Sequence, residues 1–249
     1  MDLKDRVALV AGGTGVLGTA IAQALARAGA HVAITYLERD EAARQTCTAV
    51  EALGRRALSV VLDQTDAAAI PPVVEATASH FGRLDILVNN AGWNITIPYP
   101  NLDALDPPTW DRLFSTNLRG PYLLCRAAAK RLKASGAGRI VNIASVAGLN
   151  PGGSSIGYAT SKAGLIHLTR CLAVALAPEV TVNCVAPGLM EGTRMTSRLS
   201  AEIVEGALQR AVLRRAVSVE DVADQVVAFC HSDSVTGQVL NVDAGIVFH

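Results

Sequence analysis

An α/β fold, with a doubly wound parallel sheet of seven strands and helices on both faces, is predicted by three observations. Short apolar runs rich in β-branched residues alternate along the chain with longer stretches of helical periodicity. Half of the 249 residues are apolar but only 4% are aromatic, so the core must be built from Ala, Val, Leu and Ile, which suits parallel strands covered on both sides. No low-complexity linker or longer internal repeat interrupts the alternation, so residues 1–249 read as a single domain.

The expected strands are Val7 to Val10, His31 to Tyr36, Arg56 to Leu62, Leu84 to Asn89, Arg139 to Ala144, Thr181 to Ala186 and Gln238 to Val242. The expected helices are Val16 to Ala28, Asp40 to Leu53, Asp66 to Phe81, Pro108 to Ser135 and Gly157 to Ala177, with a final pair before the last strand. Gly29 and Gly54 act as helix stops, and Pro108 suits a first helical turn. Leu189 to Ser200 lacks periodicity, and residues 189–210 are expected to form a loop and helix that cover a substrate.

Twenty-two basic residues balance twenty-two acidic ones, which removes the electrostatic case for nucleic acid or an anionic membrane as partner. A small molecule is the expected ligand. Cys47, Cys125, Cys171, Cys184 and Cys230 are odd in number and form no CxxC pair, so they read as reduced core thiols of a cytoplasmic protein. The residues after Met1 contain no signal-peptide or membrane segment, and the scattered histidines lack metal-ligand spacing.

Gly13-Thr14-Gly15-Val16-Leu17-Gly18 is a GxGxxG run between the first strand and first helix, as a dinucleotide site requires. Gly12, Gly15 and Gly18 also read as GxxGxxG, and the glycines alone do not choose between the registers. In either register the backbone can approach a pyrophosphate whose charge faces free N–H groups at the helix start.

Farther along come Asn89-Asn90-Ala91-Gly92, Asn117, Asn142-Ile143-Ala144-Ser145, Tyr158-Ala159-Thr160-Ser161-Lys162 and Pro187-Gly188. In this order they resemble the compact single-domain branch of the short-chain dehydrogenase/reductase family, with 3-oxoacyl-carrier-protein reductases among the relatives by pattern. The resemblance implies a Rossmann-type fold and an NAD(P)-dependent oxidoreductase interconverting a ketone and a secondary alcohol. It implies a catalytic group of Asn117, Ser145, Tyr158 and Lys162. Lys162 would also touch the nicotinamide ribose, and Asn117 would help hold a water linking Lys162 to solvent.

The chemistry can be argued beside the resemblance. Tyr158 and Lys162, at i and i+4, share a helix face. A nearby ammonium is expected to lower the phenol's pKa and fit it for general acid–base work. Ser145, at a strand end, can polarise a carbonyl. The alternative class is a non-catalytic, redox-sensing dinucleotide-binding protein, against which the Tyr–Lys pair argues.

Ala11 and Val16 depart from the branch's usual TGxxxGxG. The expectation is that Gly15 supplies the flexibility one residue early and that Val16 packs at the helix start. Where NAD-preferring relatives carry Asp, this chain has Tyr36, followed by Glu38 and Arg39; the missing Asp tips the expected cofactor to NADP(H) over NAD(H). Glu38 and Arg39 also read as a solvated pair opening a helix.

By the same resemblance Asp63 meets adenine, Gln64 replaces a frequent hydrophobic neighbour, and Asn90, Ala91 and Gly92 line the adenosine ribose. Pro187, Gly188 and Thr193 approach the nicotinamide, with Gly192 as an extra residue before the threonine. Expected substrate-facing residues are Trp93, Asn94, Ile95, Leu149, Asn150 and Pro151. Trp93 reads equally as a stacking platform or a loop cover. Arg126, Lys130, Arg131 and Lys133 offer a basic surface to an acyl carrier protein or complement the negative end of their own helix. The family's helix pairing implies a homotetramer, with Leu123, Leu124, Ala127 and Ala128 as apolar contacts.

Overall fold

The computed structural model describes residues 1–190, 192, 193, 196 and 201–248. Seven parallel strands form one sheet: β1 (Val7–Ala11), β2 (His31–Tyr36), β3 (Ala57–Val61), β4 (Ile86–Asn89), β5 (Gly138–Ile143), β6 (Val180–Pro187) and β7 (Val239–Val242). Their spatial order is β3-β2-β1-β4-β5-β6-β7, and each pairing is parallel. The chain reverses its winding between β1 and β4, so a crevice opens beyond the carboxyl ends of these strands.

The helices are α1 (Val16–Arg27), α2 (Asp40–Glu51), α3 (Ile70–Phe81), α4 (Pro107–Phe114), α5 (Gly120–Ala134), α6 (Ile156–Leu176), α7 (Ala201–Arg210) and α8 (Val219–His231). Residues of α1, α2 and α8 pack on one face of the sheet, and residues of α3, α5 and α6 on the other. The alternating faces of β1 show the division: Ala8 and Val10 join the first cluster, Val7, Leu9 and Ala11 the second. No helix among the described residues is long and apolar enough to cross a membrane.

Two expected helices change shape. Residues 66–69 form a turn in which Asp66 Oδ1 accepts from the Ala68 N–H at 2.9 Å, so α3 begins only at Ile70. The expected helix from Pro108 to Ser135 is α4 and α5 joined by a π-helical segment, Ser115–Arg119. Pro121 lacks the N–H that Asn117 four residues earlier would accept from in an α-helix. The Thr116 carbonyl takes a side-chain donor instead, Gln64 Nε2 at 2.7 Å.

The expected tetramer contacts Leu123, Leu124 and Ala128 are buried in this chain's own core, and Ala127 packs against it. The expectation that all cysteines are core thiols also needs correction: Cys125, Cys184 and Cys230 are buried, Cys47 is half-buried and Cys171 is exposed. Loop residues 191, 194, 195 and 197–200, within the expected covering segment, lie outside the described residues.

Candidate active site

Three of the four glycines after β1 are required by the protein itself. Gly12 turns the chain with φ +71°, and a Cβ there would lie 2.8 Å from Ala91 Cα. A Cβ at Gly13 would strike Ile34 at 2.4 Å, and one at Gly18 would strike the Gly12 carbonyl oxygen at 2.2 Å. Gly15 differs, with φ −79° and no protein atom nearer than 4.0 Å to an added Cβ. Gly15 therefore does not supply flexibility, as the sequence suggested; it leaves open the space in front of it. Val16 does not pack at the helix start either, being 48% exposed on the cleft wall.

No side chain caps α1, so its first-turn N–H groups stay available to a ligand. Asn90 braces the loop from behind, donating from Nδ2 to the Gly12 carbonyl at 2.8 Å. This cradle fits a pyrophosphate by shape and by the partial positive charge of the helix end.

The second half of the site hangs on α6. Ser155, fully buried, caps that helix by accepting from the Tyr158 N–H at 3.2 Å. Sequence reading passed over Ser155, although a serine just before a helical run is a recognisable start signal. Tyr158 and Lys162 are both buried on the cleft face. Lys162 Nζ donates to the Ile143 carbonyl at 2.8 Å and lies 5.9 Å from the centroid of the Tyr158 ring.

Burial pushes the Lys162 pKa down to about 8, opposed by the nearby Cys184 thiol. Burial also raises the Tyr158 phenol, and the Ser145 hydroxyl pulls it partly back. The expected lowering by the ammonium is not found: burial dominates the shift, and Lys162 donates to the Ile143 carbonyl rather than to the phenol. Ser145, at the end of β5, opens a short 3-10 turn by accepting from the Ala147 N–H at 3.2 Å.

Asn117 is fully buried behind the cleft and does not line it. Its Oδ1 accepts from the Trp93 N–H at 2.8 Å, and its Nδ2 donates to the Trp93 carbonyl at 2.9 Å and to Ser161 Oγ at 3.1 Å. Its amide clamps the backbone after β4 to α6. Behind β4 and β5, Asn89 Nδ2 donates to Asn142 Oδ1 at 2.8 Å, and Asn142 Nδ2 donates to Thr169 Oγ1 at 2.9 Å. That buried chain ties both strands to α6.

One cleft of about 1900 Å³ joins these halves. It is lined by Gly12, Thr14, Gly15, Val16, Leu17 and Gly18 of the first loop, by Tyr36 at the end of β2 and by Arg39 beyond it. Asp63, Gln64, Asn90, Ala91 and Gly92 continue the wall, which ends at Ser145, Tyr158, Lys162, Pro187, Gly188 and Thr193. Gly13 does not reach the cleft; it packs on Ile34. Gly192, at φ +73°, takes up the extra residue, and Thr193 still faces inward. Gln64 also bonds the Ala91 carbonyl at 3.3 Å, bracing the wall.

Of the expected substrate residues, Trp93, Asn94, Asn150 and Pro151 line the cleft. Ile95 packs instead against Leu113, Ala147 and Tyr158, and Leu149 against the cluster of Ala144, Leu165, Ile166 and Cys184. Arg112, Ile203, Ala207 and Arg210 also line it and carried no motif by which sequence reading could find them.

Residues 12–247 match the family model described as enoyl-(acyl carrier protein) reductase. With this sheet order and site, the chain belongs to the short-chain dehydrogenase/reductase family, whose members are oxidoreductases using nicotinamide dinucleotides. It is 40% identical to ketoacyl reductase 2 assigned to the granaticin polyketide synthase of Streptomyces violaceoruber, over 96% of this chain and 95% of that one. It is 36% identical to a 3-oxoacyl-[acyl-carrier-protein] reductase of Aquifex aeolicus, over 99% of both chains. A short-chain dehydrogenase from Burkholderia cenocepacia, solved in complex with NADP, superposes with a TM-score of 0.91 at 36% identity and 99% coverage of each chain. The protein is thus an NAD(P)-dependent oxidoreductase interconverting ketones and secondary alcohols.

Proposed function

We propose that the protein is a cytoplasmic, homotetrameric, NADP(H)-dependent reductase of small ketones, in which Tyr158 is the general acid. The observation that carries this reading is the convergence of Ser145, Tyr158 and Lys162 on one cleft continuous with the glycine cradle. When bound, the dinucleotide supplies or accepts the hydride.

Gly12, Thr14, Gly15, Val16, Leu17 and Gly18 hold its pyrophosphate, with Gly13 supporting from behind. Asp63, Gln64, Asn90, Ala91 and Gly92 border the adenosine end, and Pro187, Gly188 and Thr193 the nicotinamide end. Ser145 orients the substrate carbonyl by donating from its hydroxyl, and the Tyr158 hydroxyl delivers a proton to the carbonyl oxygen. Lys162, held on the Ile143 carbonyl with its ammonium 5.9 Å from the ring centroid, presents a positive charge to the phenolate that forms only once the proton has left. Asn117 positions Trp93 and α6 through its amide, and its carbonyl, deprived of a helical donor by Pro121, is suited to a water in the proton path.

NADP(H) is favoured by Arg39, a guanidinium on the cleft wall beyond Tyr36 for which no ion pair is found among the described residues. Ile203, Ala207 and Arg210 on the cleft wall support α7 as part of the substrate cover. A groove lined by Leu118, Tyr122, Leu168 and Cys171 between α5 and α6 supports subunit pairing there. A 3-oxoacyl thioester is one carbonyl class suggested by the two relatives' names. Docking of its carrier protein on Arg126, Lys130, Arg131 and Lys133 is weakened because Arg131 pairs with Glu75 and Lys133 with Glu179.

The test is Tyr158→Phe, followed by nicotinamide absorbance over a panel of ketones with NADPH and NADH. Turnover should fall by about 10³-fold while dinucleotide affinity stays within roughly twofold. Near-normal turnover in the variant overturns the assignment, and a wild type that binds dinucleotide but reduces nothing points to a redox sensor.

A further inference from the structure

Charge is unevenly divided along the cleft. The carboxylates among its described lining residues, Glu38 and Asp63, lie just beyond β2 and β3. The half beyond the ends of β4 to β7 has no carboxylate among its described lining residues. It carries Arg112 of α4 and Arg210 of α7 in addition to Lys162. No ion pair among the described residues involves Arg112 or Arg210.

Arg112 is held in place by its neighbours. Its guanidinium carbon sits 4.2 Å from the centroid of the Trp93 ring. The backbone of Trp93 is clamped on both sides by the Asn117 amide, which also reaches Ser161 Oγ. Ser161 in turn donates to the Tyr158 carbonyl at 2.7 Å, and Trp93 packs against the cluster of Leu113, Ala147 and Tyr158. Through Trp93 and the Asn117 amide this exposed side chain is tied to α6, the helix that bears the proton donor.

We propose that the substrate ketone bears a carboxylate and that Arg112, seated on Trp93, binds it, with Arg210 as a second cation of the same half. This deepens, and rests on, the reading of the cleft as a ketone reductase site. A guanidinium stacked on an indole keeps its in-plane N–H edge free, the edge that pairs with a carboxylate through two parallel hydrogen bonds. The cation lies beside the cluster containing Tyr158, which matches an anion only a few bonds from the carbonyl. A carrier-borne thioester has its phosphate at the far end of a long arm.

The test uses the full-length protein with NADPH and 4-oxopentanoate, 5-oxohexanoate and 6-oxoheptanoate, each beside its methyl ester, with acetoacetyl-CoA as a further arm. The wild type should prefer at least one acid over its ester by about tenfold or more in kcat/KM, a difference near 1.4 kcal/mol. Arg112→Gln should collapse that ratio towards one, mainly through KM, and Arg112→Lys should retain part of it. Equal or better use of the ester at every spacing overturns the proposal, as does an equal loss on acid and ester in Arg112→Gln. Selective loss of acetoacetyl-CoA would place the anion on a carrier phosphate and overturn it also. If no ketone, ester or thioester is reduced, the reductase reading itself falls.

Discussion

Replacing Lys162 by Met should reveal what the site costs the fold. Lys162 is 3% exposed and its pKa is pushed from 10.5 to about 8 by desolvation. Because the folded value is the lower one, the unfolded chain holds more protons between these pH values, and stability rises with pH across that window. The penalty is fully present below pH 8. At pH 7 it amounts to about 3 kcal/mol, falling to about 2 kcal/mol at pH 9 and below about 1 kcal/mol at pH 10.

Met fills nearly the same volume without the charge, so Lys162→Met removes this penalty. It also strips the Ile143 carbonyl of its donor, a loss of about 1–3 kcal/mol that does not vary with pH. The slope is therefore the decisive quantity. In urea denaturation at one fixed protein concentration, the variant should gain most over the wild type at pH 7. Its advantage should shrink by roughly 1 kcal/mol on going to pH 9. A difference that stays flat or grows with pH would refute the claim that the folded protein holds a charged, desolvated lysine.

The glycine loop offers a contrast between neighbours. Gly15→Ala should fold with a stability change within about 1 kcal/mol but weaken dinucleotide binding, as read by fluorescence titration, because its Cβ meets only the open cleft. Gly18→Ala, whose Cβ would overlap the Gly12 carbonyl, should lose more than about 2 kcal/mol by the same denaturation measurement. Arg39→Glu should lower kcat/KM for NADPH relative to NADH by about tenfold or more, and an unchanged ratio removes Arg39 from cofactor choice.

The seven strands were legible as short apolar runs between turn residues; β1, β2, β4, β5 and β6 are buried on both faces, while the edge strands β3 and β7 are only half-buried. Tyr158, Ser145 and Lys162 were legible through their order along the chain. Their electrostatics were not, since only the packed structure shows how deeply the phenol and ammonium are buried and that Lys162 turns to Ile143. Gly15 and Val16 were read by analogy with a spacing; the dihedral angle and open space at residue 15 invert that reading. Arg112 and Arg210 were invisible because a charged residue on an amphipathic helix looks the same in sequence whether it faces solvent or a cleft.

The π-helical segment around Asn117 has a consequence for changes of chain length. Five residues there span what a regular helix would cover in about four, so α4 enters α5 turned by about 100° from where an uninterrupted helix would carry it. That angular offset aims the Asn117 amide at Trp93 and governs where α4, and with it Arg112, meets the cleft. The helix thus behaves as a dial set by counting. Removing one residue from Ser115–Arg119 would turn α4 by about 100° relative to α5, with Pro121 still lacking the N–H of a regular helix. It would also swing Leu113 out of its place beside Ala147 and Tyr158 and carry Arg112 away from the cleft wall. In this stretch the number of residues carries as much information as their identity.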